Sequence, residues 1–221
     1  MCTRFYVAGD LFTPLIERAK HTSLTYQFMS VLGKSTFMSG EIQPTNVAAV
    51  LAPNKDGKMA VFPMMWGFTV SDSDAPIVNC RLETADRKNL WKDSWYRRRC
   101  VIPAAWYYEW EHFRAPDGKM KTGSKYIVQP KDAEITWLAG LYRFEQHKGI
   151  EVPVFAVLTR ASSPELHKLH DRMPLILGKE IVAEWIRPDG VPAKAAETAL
   201  TEMVAEKYGG EPSCGHISVS I

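Results

Sequence analysis

The chain opens Met1-Cys2-Thr3-Arg4-Phe5, and the cysteine directly after the initiator methionine is the first residue with unusual chemical prospects. Removal of Met1 would make Cys2 the amino terminus, carrying an amine and a thiol on adjacent carbons. An α-amino group has a pKa of about 7.7–8.0 against about 10.4 for lysine, so a useful fraction is nucleophilic near neutral pH. Such an amine attacks an aldehyde, and the neighbouring thiol then closes a thiazolidine ring at high effective concentration. The competing reading is a cysteine that merely begins a buried strand, since free cysteine is among the most buried residue types.

Three further stretches hold residues suited to the same chemistry. In IVNCRLETA (77–85), alternation places Asn79, Arg81 and Glu83 on one face just before a helix. The Asn79 amide can donate and accept, and the Arg81 fork suits a phosphate. In WYYEW (106–110), Glu109 is a carboxylate among aromatic rings, surroundings that disfavour its charged form and favour proton exchange. In LHDRMPLIL (169–177), His170 precedes Pro174 and an apolar run, at the edge of a core, where it can act as acid or base. Each stretch alone also fits a structural role. His167 and His170 are three apart, but companion ligands and any CxxC are missing, so no metal and no cofactor is expected. Arg97, Arg98 and Arg99 read as a solvated basic face that could track a DNA backbone.

The elements that must position these residues can be read from periodicity. With 46% hydrophobic and 24% charged residues, the 221-residue chain is expected to fold as a single domain over 1–221 rather than remain disordered. Its net charge of +2 is too small to imply a nucleic-acid partner from bulk charge. Four scattered cysteines (Cys2, Cys80, Cys100, Cys214), no signal-like start and no membrane-length apolar run lead to the expectation of a cytoplasmic protein without a membrane partner. TNVAAVLAP, KMAVFPMMWGF, RRCVIPAAWYYEW, SKYIVQP, ITWLAGLYRF and VPVFAVLTR predict strands. DLFTPLIERAK, capped by Asp10 with Leu11, Leu15 and Ile16 on one face, predicts a helix followed by a polar loop. Helices are also predicted in ETADRKNLWKDSWY, GKEIVAEWI and PAKAAETALTEMVAEKYG, and a hairpin at FRAPDGKMKTGSK. The sum is an α+β fold: a largely antiparallel sheet or distorted β-barrel core with helices packed outside.

Taken in order, MCTRF, GEIQPTN (40–46), WGF (66–68), NCRLETA (79–85), RRRCVIPAAWYYEW (97–110), LAGLYR (138–143) and LHDRMPLIL resemble the SRAP family, the SOS response-associated peptidases understood as abasic-site processing proteins. The resemblance runs over most of the chain. It implies that Cys2, freed of Met1, forms a covalent thiazolidine with the ring-opened aldehyde of an abasic site in single-stranded DNA, with lyase-like chemistry and crosslink reversal alongside. It implies that Asn79 and Glu109 position and deprotonate the reacting amine and that His170 acts as acid/base partner at the sugar oxygen. Arg4, Arg81 and Arg172 are then expected at the phosphates, Trp110 at a neighbouring base, and the protein as a monomer.

The sequence departs from the family pattern at three places. Thr3 stands where glycine is usual and Cys80 where alanine is common. After WGF the chain reads TVSDSDAP, where many members carry a proline and a tryptophan that wedges against bases. Two readings of another kind stay open at this level: an N-terminal-nucleophile amidohydrolase of the glutamine amidotransferase type, and a single-stranded DNA-binding module that makes no covalent bond.

Overall fold

Alternating apolar residues do form strands, and their backbone pairings close into a ring. The computed structural model describes residues 2–20, 22–35, 39–164, 166–197, 202–208 and 217–220. Near the amino terminus lie β1 (Phe5–Val7), α1 (Gly9–Lys20), α2 (Ser23–Ser30) and β2 (Gly40–Ile42). Then come β3 (Val47–Pro53), β4 (Met59–Trp66), the small hairpin β5 (Phe68–Val70) and β6 (Ser73–Ile77), and β7 (Asn79–Arg81). Helices α3 (Leu82–Ala85) and α4 (Asn89–Arg97) lead to β8 (Arg99–Ala104), β9 (Trp106–Arg114), β10 (Met120–Pro130), β11 (Thr136–His147) and β12 (Ile150–Ala161). The chain continues through β13 (Arg172–Pro174), β14 (Ile176–Leu177), α5 (Val182–Ile186), α6 (Pro192–Glu197), β15 (Glu202–Lys207) and β16 (Ile217–Ser220).

Strands β12, β4, β3, β8 and β11 follow one another around a barrel that the β11–β12 pairing closes. All its neighbours are antiparallel except β12 and β4. A second, wholly antiparallel sheet runs β16-β15-β10-β9-β1-β2. The α+β class with a barrel core and outer helices is therefore what the chain adopts.

The two faces of the barrel strands serve different neighbours, as a period of two requires. Val50, Met64, Ile102, Phe155 and Val157 share a core cluster with Phe5, Tyr107 and Val128 of the second sheet. The alternate positions Leu51, Met65, Val101, Leu141 and Val154 pack with Phe28, Trp91, Trp95 and Trp185 of the helices. Because both faces are covered, every residue of β8 is buried. Helix α1 contributes Phe12 and Ala19 to the core, with Leu15 partly buried.

Several sequence expectations need correction. The predicted polar loop after α1 is helix α2, whose polar sequence hides buried Thr25 and Phe28; Thr22 caps it by accepting from the Thr25 amide at 3.2 Å. RRCVIPAAWYYEW is two strands, β8 in the barrel and β9 in the second sheet. Of the helix predicted over PAKAAETALTEMVAEKYG, Pro192–Glu197 forms as α6. Beyond it, Glu202–Lys207 is strand β15, with Met203 and Ala205 buried against β10 in a two-residue alternation. Helix α1 begins at Gly9, one residue before the expected cap Asp10. The hairpin at Pro116-Asp117-Gly118 forms as predicted between β9 and β10, with Gly118 at φ 78°, where a side chain would be strained. Cys214 lies outside the described residues.

Candidate active site

The WGF and NCR motifs are coupled through one tryptophan. Trp66 is fully buried, and its indole donates to the Val78 carbonyl at 3.0 Å, one residue before Asn79. Gly67, at φ 118°, lets Pro76 approach so closely that an added Cβ would sit 2.6 Å from the proline side chain. The segment is thereby pressed against the barrel, and β7 runs parallel to β12 with Asn79 opposite Val157 and Arg81 opposite Thr159. On its other side the end of β12 carries β13, with Pro174 opposite Thr159 and Arg172 opposite Ala161. Asn79 and the His170 turn thus flank one strand.

The amino terminus arrives from the second sheet. Phe5 pairs with Tyr107 of β9, and the Arg4 carbonyl accepts from the Tyr108 amide at 2.9 Å. Continued antiparallel, this register runs Thr3 and Cys2 along Glu109 and Trp110. Cys2 is wholly buried, its thiol donating to the Arg4 carbonyl at 3.6 Å and its own carbonyl accepting from the Asn79 amide nitrogen at 2.8 Å. The Asn79 amide oxygen is buried and makes no hydrogen bond among the described residues. That leaves an acceptor available beside the amino-terminal residue.

Glu109 is only 4% exposed, so it faces inward and not to solvent as an isolated strand reading would allow. Burial raises its carboxyl above the ordinary glutamate value. Burial, then the charge of Glu109, raises the Cys2 thiol far above the usual cysteine range, so the sulfur stays protonated. His170 is pulled below the ordinary histidine value, chiefly by burial. Its Nδ1 accepts from the Arg172 amide at 2.9 Å and lies 2.7 Å from the Asp171 carboxylate. With the first partner the neutral ring presents Nε2–H; with the second it presents an Nε2 lone pair. One side chain can therefore serve as acid or base.

The expected phosphate ligands fall into different settings. Arg81 is exposed and makes no side-chain ion pair among the described residues. Arg4 is bound to Glu41 at 2.5 Å, and Lys125 to the other oxygen of Glu41 at 2.6 Å. Burial alone would raise the Glu41 carboxyl, but these two cations hold it below its ordinary value. Arg172, with a side chain 10% exposed, forks onto Glu83 at 2.7 and 2.9 Å and donates to the Thr159 carbonyl at 2.6 Å. The hydrogen bonds from Arg172 to Glu83 depress the Glu83 carboxyl. The fork locks the His170 turn onto the α3 entrance, with the guanidinium buried and the Glu83 side chain half exposed. Glu83 reaches it from helix α3, not from the alternating strand face expected for Asn79 and Arg81, because the strand ends at Arg81. Trp110 is half-buried, with the Lys125 ammonium 5.4 Å from its ring and 3.7 Å from that of Tyr108.

Cys80, the hairpin aspartates and His167 sit as the sequence reading expects, and one further residue was missed. Cys80 is buried and its thiol pushed up to about 12 by burial, in keeping with a packing role. Asp72 and Asp74 lie on the exposed β5–β6 hairpin, where a wedge residue was expected to be missing. His167 is exposed, near the Ser162 hydroxyl, and does not join His170. The residue that does was overlooked. The His112 ring meets that of His170 edge-on at 5.7 Å, and donor atoms of Glu109, His112 and His170 all lie within 4.8 Å of one another. Residues three apart in a flat strand point to opposite faces. The pairing of this stretch is irregular: the register with β10 shifts between Thr122 and Lys125, the kind of slip that adds local twist.

The chain resembles known proteins in sequence and in fold. Residues 1–213 match the family model described as SOS response associated peptidase (SRAP). The abasic site processing protein YedK of Escherichia coli is 27% identical over 168 residues, covering 74% of this chain and 72% of that protein. The abasic site processing protein YoaM of Bacillus subtilis is 27% identical over 69% of this chain and 70% of its own length. A crystal structure of a protein from Bacteroides thetaiotaomicron superposes with a TM-score of 0.69, covering 95% of this chain and 93% of that one; at 18% identity it speaks for the fold alone. No helix among the described residues is long and apolar enough to cross a membrane.

Proposed function

We propose, from the premise that the chain belongs to the SOS response associated peptidase (SRAP) family, that it processes abasic sites in single-stranded DNA by forming a thiazolidine through Cys2 after Met1 is removed. The observation that carries the proposal is the Asn79 amide holding the Cys2 carbonyl at 2.8 Å beside the buried carboxyl of Glu109. A strand that merely began with cysteine would need neither group.

The steps balance without any oxidant. Once Met1 is gone, the Cys2 amine adds to the aldehyde carbon of the ring-opened sugar, and Glu109 takes the proton the nitrogen loses. His170 gives a proton to the aldehyde oxygen and a carbinolamine forms; its hydroxyl then takes the proton held by Glu109 and leaves as water, while the second nitrogen proton returns to His170, leaving a neutral imine. The thiol then adds across the C=N bond: a C–S bond forms and the thiol proton ends on nitrogen. A sulfur kept as S–H until this last step suits that order, because the amine acts first. Asn79 anchors the nucleophilic residue so that both of its groups face one carbon. His170, able to give or take a proton at the sugar oxygen, also serves the reverse reaction. The same imine acidifies the adjacent sugar carbon and opens a route to strand cleavage by β-elimination.

The deciding experiment incubates the protein with single-stranded DNA carrying one abasic site, then applies a denaturing gel and mass spectrometry. The expected product is a denaturant-resistant adduct on residue 2 with Met1 absent, and none with Cys2→Ala. Equal adduct from Cys2→Ala, or from intact DNA, would overturn the proposal.

Arg81 is the phosphate ligand best placed to act without first breaking an ion pair; Arg4 lies at the rim, Arg172 deeper, and Trp110 is offered as a stacking surface for a base. In a salt titration of single-stranded DNA binding, Arg81→Ala is expected to weaken affinity and flatten the slope of log K against log salt by about 0.7. An unchanged slope would remove Arg81 from the DNA path.

A further inference from the structure

We propose that Glu109, His112 and His170 form a binding site for a divalent transition-metal ion of the zinc type, and that a bound ion holds the abasic-site chemistry off. The first half stands on geometry; the second rests on the function proposed above.

The three donor atoms lie within 4.8 Å of one another and come from two separate elements, β9 and the turn before β13. Around a tetrahedral zinc ion, with bonds of about 2.0–2.1 Å, ligand atoms sit roughly 3.3–3.5 Å apart. The remaining gap can be closed by His112, because it is exposed, while Glu109 is fixed in the core and His170 is tied at Nδ1 to the Asp171 carboxylate. The edge-on ring contact at 5.7 Å already keeps His112 over its partner.

Two imidazoles and one carboxylate suit zinc-like ions better than calcium or magnesium, which prefer all-oxygen shells. The supporting layer is also present. Asp171 lies 2.7 Å from His170 Nδ1, the arrangement in which a carboxylate takes the ring proton and leaves Nε2 as a metal ligand. A nearby cation would in addition stabilise the ionised form of Glu109, whose burial otherwise disfavours charge.

The regulatory consequence follows from shared lone pairs. Those with which Glu109 and His170 would move protons are the ones an ion would occupy, so metal binding and catalysis exclude each other. His112 has no part in the proposed reaction, which makes it the residue that separates the two roles.

The test titrates the full chain with zinc chloride by calorimetry and runs the abasic-DNA adduct assay with and without zinc. Wild type should bind one equivalent, and zinc should slow adduct formation until EDTA restores it. His112→Ala should bind at least about tenfold more weakly, since losing a ligand costs no less than losing an outer partner, and should form adduct in the presence of zinc. His112→Asp, which restores an oxygen ligand, should recover part of the binding, and His167→Ala should bind like wild type. Zinc affinity unchanged in His112→Ala, or lost in His167→Ala, would overturn the site. Zinc binding as stated with no adduct from wild type in EDTA would leave the metal site standing and remove the abasic-site reading instead.

Discussion

In metal-free buffer containing EDTA, Glu109→Gln is expected to slow adduct formation about 10²–10⁴-fold, the usual contribution of a positioned general base. The amide keeps the size and hydrogen-bonding shape of the side chain but cannot take a proton from the Cys2 amine. The pH profile carries the sharper signature. Burial raises the Glu109 carboxyl, so its basic form appears only as pH climbs through that raised value, and wild-type rate should rise across a limb displaced upward from ordinary glutamate. Glu109→Gln should lose that limb.

Stability should move the other way. A carboxyl whose folded pKa is raised favours the folded state most when protonated, below the unfolded glutamate value of about 4.3, and that contribution is lost as pH rises through the folded value. Near neutral pH the substitution should therefore raise the thermal midpoint, and in acid the difference should vanish. Parallel rate and melting measurements at several pH values check both halves. A variant that is slower and also less stable at neutral pH would mean that Glu109 is a structural anchor.

The groups of this site were legible because their chemistry is tied to residue type. A cysteine at position 2, an asparagine in an alternating segment and a carboxyl among aromatic rings could each be singled out by type, while each alone also fitted a structural role and the ordered motifs joined them. What failed to show was convergence in space. His112 sits three residues after Glu109, a spacing that a regular strand would split across its faces, and here the register with β10 shifts. The six strand-forming runs could be read from their branched and aromatic residues and the turns at their ends, but the boundary inside RRCVIPAAWYYEW could not. Ala104 and Ala105 are small, buried and carry no period, and the crossing between sheets is marked by tertiary bonds, the Ala105 amide reaching the Tyr6 carbonyl at 2.8 Å and the Ala105 carbonyl accepting from the Thr136 hydroxyl at 2.8 Å. Helix α2 was hidden because Thr25 looks polar yet is buried with its hydroxyl on the Ala19 carbonyl at 2.7 Å. In each case a tertiary contact overrode a local pattern.

The basic run at 97–99 gives the second large expected effect, on stability. Arg97 and Arg98 are surface residues paired with Asp93, but Arg99 is 1% exposed. Its guanidinium donates to the carbonyls of Trp95 and Tyr96 at 2.9 Å each, Trp185 at 2.7 Å, Gly190 at 3.3 Å and also Arg187. These carbonyls lie at the carboxy-terminal ends of α4 and α5 or just beyond, where helices leave acceptors unpaired and a cation is favoured. One fork thus closes two helix ends onto β8, with the Trp185 ring 5.9 Å away. Arg99→Met keeps much of the apolar stem but strands those carbonyls in the core. Hydrogen bonds to a charged donor contribute about 1.5–3 kcal/mol each and are not additive, so a loss of about 3–5 kcal/mol is expected. For a chain of this size that lowers the melting midpoint by roughly 6–20 °C. Arg98→Met should cost no more than about 1 kcal/mol, as an exposed ion pair does. Thermal melts of the two variants distinguish an internal clamp from a basic DNA track. If instead Arg98→Met and Arg99→Met were equally stable and both weakened DNA binding, the run would be a nucleic-acid surface after all.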